Sequence, residues 1–311
     1  MTRISLLLWG GMTVVLGLVS PGDIARAAEL RVLASVALTS ALNELTPVYE
    51  NATGDKLSIE YSLAADLKKR ILDGETADVI ILTRPMMDDL QKQNMLAANS
   101  LVNVAGTRVS VVARAGGPMP DISSVDAFKQ TLLIARSIVY ADPAKGGASG
   151  VYFARVLDRL GIAEQMKGKT ILVPGAQAAE IVARGDAELG VAQASEIVPV
   201  AGAQLVGPLP GELASTTVFT AGIDAPSKSP EAAKTLIKFL TGPEAASRFK
   251  TKGLSLERGC RPQEAMGIFS GHEPVNREPG SGGDTDRPSS MAYIGGYTVS
   301  EQGIFCRLAG N

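Results

Sequence analysis

Residues 30–49, LRVLASVALTSALNELTPVY, change their hydrophobic period once, and that change sets the fold. From Leu30 to Ser35 the run is apolar except for Arg31, as in a strand covered on both faces. From Leu38 to Tyr49 the apolar residues Leu42, Leu45 and Val48 recur at helical spacing. The pair is a βα unit. The alternation continues downstream with a strand over 57–61, a helix over 66–72, a strand over 78–82 (DVIIL) and a helix over 86–93. Repeated strand and helix with short polar turns predict a parallel sheet covered on both faces.

A longer β-rich stretch, LVNVAGTRVSVVA (101–113), interrupts this rhythm. A second α/β series follows, with strands over 137–140, 170–173 and 188–192, helices over 150–160 and 178–184, and a β stretch over 214–221. Ser229-Pro230-Glu231 then opens a helix by placing a capping residue before proline at the first helical position, and a last helix over 243–249 begins with the same Pro-Glu pair. Two α/β series joined by two long β stretches predict two lobes with a double crossover hinge. Residues 28–107 plus 217–257 form lobe 1 and residues 108–216 form lobe 2, with a central ligand cleft between them.

The flanks differ from this body. Arg3 precedes residues 4–20, which carry no ionisable group, and Ala25-Arg26-Ala27 offers small residues where a signal peptidase reads; residues 1–27 are expected to be a signal peptide cleaved before Ala28. The apolar run is short for a membrane span. Residues 258–311 hold ten glycines and the aperiodic run PGSGGDTDRP (279–288), which reads either as a disordered extension or as the product of a shifted reading frame. Both cysteines, Cys260 and Cys306, and the only histidine, His272, lie in this tail.

Composition excludes several functions. A net charge of −2 leaves no basic surplus for nucleic-acid phosphates or an anionic membrane, and a content of 5% aromatic residues argues against stacking platforms. Between Ala28 and Glu257 there is neither Cys nor His, which removes zinc sites, Cys/His nucleophile pairs and Ser-His-Asp triads from the body. The expectation is a protein with no catalytic residue, no cofactor and no bound metal.

Ligand-binding loops are expected at the carboxyl ends of the strands. Ser35 to Ser40 and Ser62 to Asp66 each lead into a helix, whose first N–H groups and dipole favour an anion or else are simply capped. Arg84, after DVIIL, can grip an oxyanion bidentately or stand solvated. The loop DPAKGGASG (142–150) combines three glycines and Ser149 ahead of an amphipathic helix. It permits close backbone approach to an oxyanion, but Lys145 precedes the glycines and the P-loop pattern fails.

The order of ASVALTSALNEL, YSLAADLKKRILDGETADVIILT, DPAKGGASGVYFARVL, ARGDAELGVAQASEI and SPEAAKTLIKFLTGPEAA resembles bacterial periplasmic solute-binding proteins of the molybdate-binding type, from about Glu29 to Leu256. The resemblance implies a type II periplasmic-binding fold, a hinge that closes over a small anion, and delivery as a monomer to an inner-membrane ABC permease. It also implies an oxyanion held by neutral donors, including two serine hydroxyls, which fall here at Ala37 and near Ala64. A tyrosine position of some members falls at Gln193, and backbone contacts fall at Ser149-Gly150 and near Gly175 or Ala176. With each missing hydroxyl removing about 1 kcal/mol or more, Ser35, Ser62 and Ser149 are expected to substitute. The alternative ligand is a small carboxylate or another oxyanion. The expected ligand set is Ser35, Ala37, Ser62, Ala64, Arg84, Ser149, Gly150, Ala176 and Gln193. The competing readings are a secreted hydrolase using Ser35, or Ser149 with Lys145, and a ligand-sensing module on the same fold.

Overall fold

The computed structural model describes residues 27–255 and, in the C-terminal part, three short strands. The expected signal segment and nearly all of the expected tail lie outside the described residues.

The first half runs β1 (Glu29–Ser35), a 3-10 turn (Val36–Leu38), α1 (Thr39–Thr53), β2 (Lys56–Ser62), α2 (Ala64–Leu72), β3 (Val79–Thr83) and α3 (Arg84–Lys92). A single long strand, β4 (Val102–Arg114), leads out of it. The second half comprises α4 (Val125–Ile134), β5 (Ile138–Ala141), α5 (Ala148–Arg159), α6 (Ala163–Lys167), β6 (Thr170–Val173), α7 (Ala178–Arg184), β7 (Leu189–Gln193), α8 (Ala194–Ile197) and β8 (Ala203–Pro208). Then β9 (Thr216–Ile223) returns to the first half, where α9 (Pro230–Leu240) and α10 (Pro243–Thr251) pack. The strands β10 (Ala292–Ile294), β11 (Tyr297–Ser300) and β12 (Gly303–Phe305) pair antiparallel with one another.

Strand order is β2-β1-β3-β9-β4-β7-β5-β6, with β8 also on β4. The expected parallel pairing holds for β2-β1-β3 and for β7-β5-β6. It fails at the centre, where β9 runs antiparallel to β3 and β4 antiparallel to both β9 and β7. The reason is connectivity: strands that carry the chain between halves have no crossover helix to bring them back in the same direction. β4 serves both halves, pairing with β9 at residues 102–108 and with β7 from Val109 onward.

Helices cover both faces around the inner strands, and all of Val79–Thr83 and Leu189–Gln193 is buried, whereas the edge strand β2 keeps Lys56 and Ser58 exposed. In the first half α1 turns Ala41, Leu42, Leu45 and Tyr49 onto one sheet face, together with Leu236, Leu240 and Phe249 from α9 and α10. The helices α2 and α3 close the other face with Leu67, Ile71, Met87 and Leu90. Each such Leu or Ile contributes roughly 1.5–3 kcal/mol by leaving water. In the second half Phe128, Phe153 and Tyr140 form the centre, with Tyr140 and Phe153 rings edge-on at 5.0 Å.

Candidate functional site

The strands β1, β2, β5 and β7 end on one side of their sheets, and the segments that follow them face a cleft between the halves. Its lining joins Ser35, Val36 and Ala37 after β1 with Leu63 and Ala64 after β2. From the second half come Ala141, Gly147 to Ser149, Gly175, Gln193 and Glu196, and Phe219 of β9 completes the wall. The empty volume is about 340 Å³, mouth included.

Two helices aim their N-termini at this space. α2 starts at Ala64 and α5 at Ala148, and the first N–H groups of any helix have no acceptor inside it. Glycines let α5 sit where it does. A Cβ on Gly150 would stand 1.9 Å from the Ala141 carbonyl oxygen, so this helix start is pressed directly on the end of β5. Gly146 adopts a left-handed φ of 76°, and a Cβ there would stand 2.4 Å from the Ala65 methyl of the other half. The two halves therefore touch across the cleft, through glycine on one side and alanine on the other.

Ser35 and Ser149, 5% and 4% exposed, bring hydroxyls to the lining that no protein group engages among the described residues. Gln193 is buried, and its Nε2 donates to Thr217 Oγ1 at 2.8 Å. Ala37 and Ala64 lie in the lining and contribute methyl groups.

Other expected residues stand elsewhere. Ser62 donates its hydroxyl to Asp66 Oδ2 at 2.8 Å, which spends it on a side chain in the first turn of α2. Arg84 is drawn along the exposed side of α3, with Nε 2.8 Å from Asp88 Oδ1 and Nη1 3.3 Å from Asn103 Oδ1. Neither is a lining residue. Gly175 takes the place expected of Ala176, and Gly150 supports the cleft from behind.

Glu196 is the group that the sequence reading missed. It is the one ionisable residue of the lining, and it lies partly buried in the first turn of α8. Its Oε2 accepts the backbone N–H of Gln193 at 3.2 Å. Burial pushes its carboxyl up to about 7, against the smaller lowering effect of that N–H. The helix is anchored from behind by Thr107 of β4, whose hydroxyl accepts from Ser195 N at 3.2 Å and donates to Gly253 O at 3.0 Å. A local signal existed in Gln193-Ala-Ser-Glu196, where an acid three residues after a polar strand end marks a helix start. Nothing local shows that the start faces a cleft. Chemically, the cleft offers neutral donors for an anion, apolar surface from Val36, Leu63 and Phe219, and one carboxyl that changes charge near neutrality.

Residues 30–255 match the family of bacterial extracellular solute-binding proteins. A relative named aconitate isomerase, from Pseudomonas sp, is 34% identical over 231 residues, covering 72% of this chain and 87% of that protein. The molybdate-binding protein ModA of Azotobacter vinelandii is 29% identical over 246 residues, covering 75% of this chain and 92% of its own. The solved Azotobacter vinelandii periplasmic molybdate-binding protein superposes with a TM-score of 0.63 at 20% identity, covering 74% of this chain and all of that one. The fold is thus the two-lobed periplasmic-binding type expected from the sequence. The expectation of a non-enzymatic protein is overturned: a relative this similar bears an isomerase name, and excluding His, Cys and metal mechanisms did not exclude an acid–base mechanism that needs only a carboxyl group.

Proposed function

Because the chain belongs to the bacterial extracellular solute-binding proteins, the family of ABC-importer receptors, we propose that its cleft captures a small polycarboxylate of the aconitate kind in the periplasm and presents it to an inner-membrane permease. The observation that carries this reading is the mixed lining. Hydroxyls of Ser35 and Ser149 and the N-termini of α2 and α5 suit carboxylate oxygens, while Val36, Leu63 and Phe219 suit a carbon skeleton. A bare tetrahedral oxyanion uses only the first set.

One feature weighs against molybdate: alanines at 37 and 64 withhold hydroxyls from the lining. The same relative that overturned the non-enzyme expectation is named for aconitate.

Calorimetric titration with cis- and trans-aconitate, citrate, molybdate and sulfate tests the proposal. The aconitates are expected to bind at least tenfold more tightly than either oxyanion. A thermal shift provides the cross-check, since a ligand at a hundred times its Kd adds about 2.7 kcal/mol to stability. Molybdate binding more tightly than every carboxylate would overturn the reading.

A further inference from the structure

We propose that Glu196 is a catalytic residue, the single proton carrier that moves a hydrogen between two carbons of a carboxylate bound in the cleft. The inference rests on the reading of the cleft as a polycarboxylate site and adds a chemical step to it.

The geometry comes first. Among the residues lining the cleft only Glu196 can take up or release a proton at ordinary pH; the rest are Ser, Gln, Gly, Ala, Val, Leu and Phe. One carboxylate oxygen is held by Gln193 N at 3.2 Å, which fixes the group, while the second oxygen accepts no hydrogen bond among the described residues. The α8 backbone is fixed through Ser195 N on Thr107, and Gly253 lies so close behind Ala194 that a Cβ would meet its carbonyl at 2.8 Å. An acid held this rigidly in a cleft with few other polar groups has the attributes of a general base.

Its surroundings set its proton affinity. The elements packed on α8 are β4, β7, β8 and the 36–38 turn. Of these, β7, β8 and the turn carry no ionisable side chain, and the two arginines of β4, Arg108 and Arg114, are exposed. No cation steadies the carboxylate, and burial leaves it half-protonated near pH 7. A base so poised both accepts and returns a proton.

The step balances without any cofactor. Aconitate carries a methylene beside a carbon–carbon double bond, both flanked by carboxylates. The Glu196 carboxylate takes a proton from the methylene carbon, and the electron pair of that C–H bond becomes a new double bond to the central carbon. The old double bond's electrons move to its far carbon, which then takes the proton back from Glu196. One C–H bond breaks, one forms, and the double bond shifts by one position, which allows it to re-form with the other geometry. No oxidant or reductant takes part. The N-termini of α2 and α5, with the Ser35 and Ser149 hydroxyls, are disposed to stabilise the carboxylate that carries the developing charge.

Proton NMR of the full chain with cis-aconitate in D₂O reads the step directly, as the appearance of trans-aconitate and as loss of methylene hydrogen signal to deuterium. Glu196→Gln is expected to lower turnover at least 100-fold while leaving aconitate affinity within about fivefold by calorimetry. Glu196→Asp, which keeps the carboxyl but withdraws it, is expected to retain a few per cent of the rate. The wild-type kcat/KM is expected to rise with pH and level off above about 7. Wild-type protein that binds aconitate but neither isomerises nor exchanges it, or a Glu196→Gln variant of undiminished rate, overturns the proposal while the binding reading stands. Failure of wild-type protein to bind any aconitate overturns both.

Discussion

Gly146 of the second half lies against Ala65 of the first, so near that a Cβ on the glycine would stand 2.4 Å from the alanine methyl. Apposition of two small residues is what lets the halves close over the cleft. Gly146→Val is therefore expected to hold them apart. Affinity for the bound carboxylate should fall at least tenfold, and the ligand-induced decrease in radius of gyration seen by small-angle scattering should shrink. Because φ at this position is 76°, the backbone strain adds a stability loss of about 1–2 kcal/mol. Unchanged affinity would show that closure does not pass through this contact.

Gly150 carries a different burden. Any side chain there meets a backbone carbonyl at 1.9 Å, and a main-chain oxygen at the end of β5 has no rotamer by which to retreat. Gly150→Ala should destabilise the protein by about 3 kcal/mol through overpacking, and more if α5 is displaced. Urea denaturation measures it. A loss under 1 kcal/mol would mean the helix start is free to slide.

Ser35→Ala and Ser149→Ala each remove a hydroxyl that no group among the described residues uses. Folding stability should stay within about 0.5 kcal/mol for each. Carboxylate affinity should drop by about 1.5–3 kcal/mol per hydroxyl, the value of a hydrogen bond to a charged group. Titration calorimetry on the two single variants and the double variant checks this, and equal affinity in all three would remove both serines from the binding set.

Glu196 links stability to pH with a definite sign. Its carboxyl ordinarily titrates at 4.5 and is pushed up to about 7 in the folded chain, so between these values the folded state holds the proton more tightly. Stability from this group is complete below about pH 4.5 and declines as pH rises towards 7, by about 3 kcal/mol in all. Glu196→Gln has no such proton to lose. Relative to wild type it should melt higher at pH 8 and about equally at pH 5. Parallel melting profiles for the two proteins across that range would mean that Glu196 is not desolvated.

Legibility in the sequence followed the range of the interactions. The change of period between Leu33 and Leu42 is local, and β1 and α1 stand where it places them; the expected helix ends early only because Tyr49 was its last recognised apolar residue, whereas α1 runs on to Thr53 before Gly54 caps it. Helix α4 was passed over although Ser124 caps it, accepting from Ala127 N at 3.1 Å. The apolar run at 101–113 marks a strand but not that Val109 leaves one partner strand for another. In the cleft, Ser35, Ala37, Ala64, Ser149 and Gln193 were found from loop position and family likeness. Arg84 stands outside the lining, since a loop arginine shows its charge in the sequence and not its partner, here Asp88. Glu196 was overlooked for the converse reason: its burial comes from chain more than 80 residues distant, Thr107 holding its helix and the 36–38 turn packing on it.

The pairing of β3 with β9 sets Thr83 beside Phe219 and brings a strand made after the whole second half into the middle of the first-made sheet. Until residue 223 is available, β3 and β4 have no strand between them, and the N-terminal half is an incomplete sheet with two unsatisfied edges. Such long-range closure slows folding. The first sheet is therefore completed only after the whole of β5 to β8 has been made between two of its neighbouring strands.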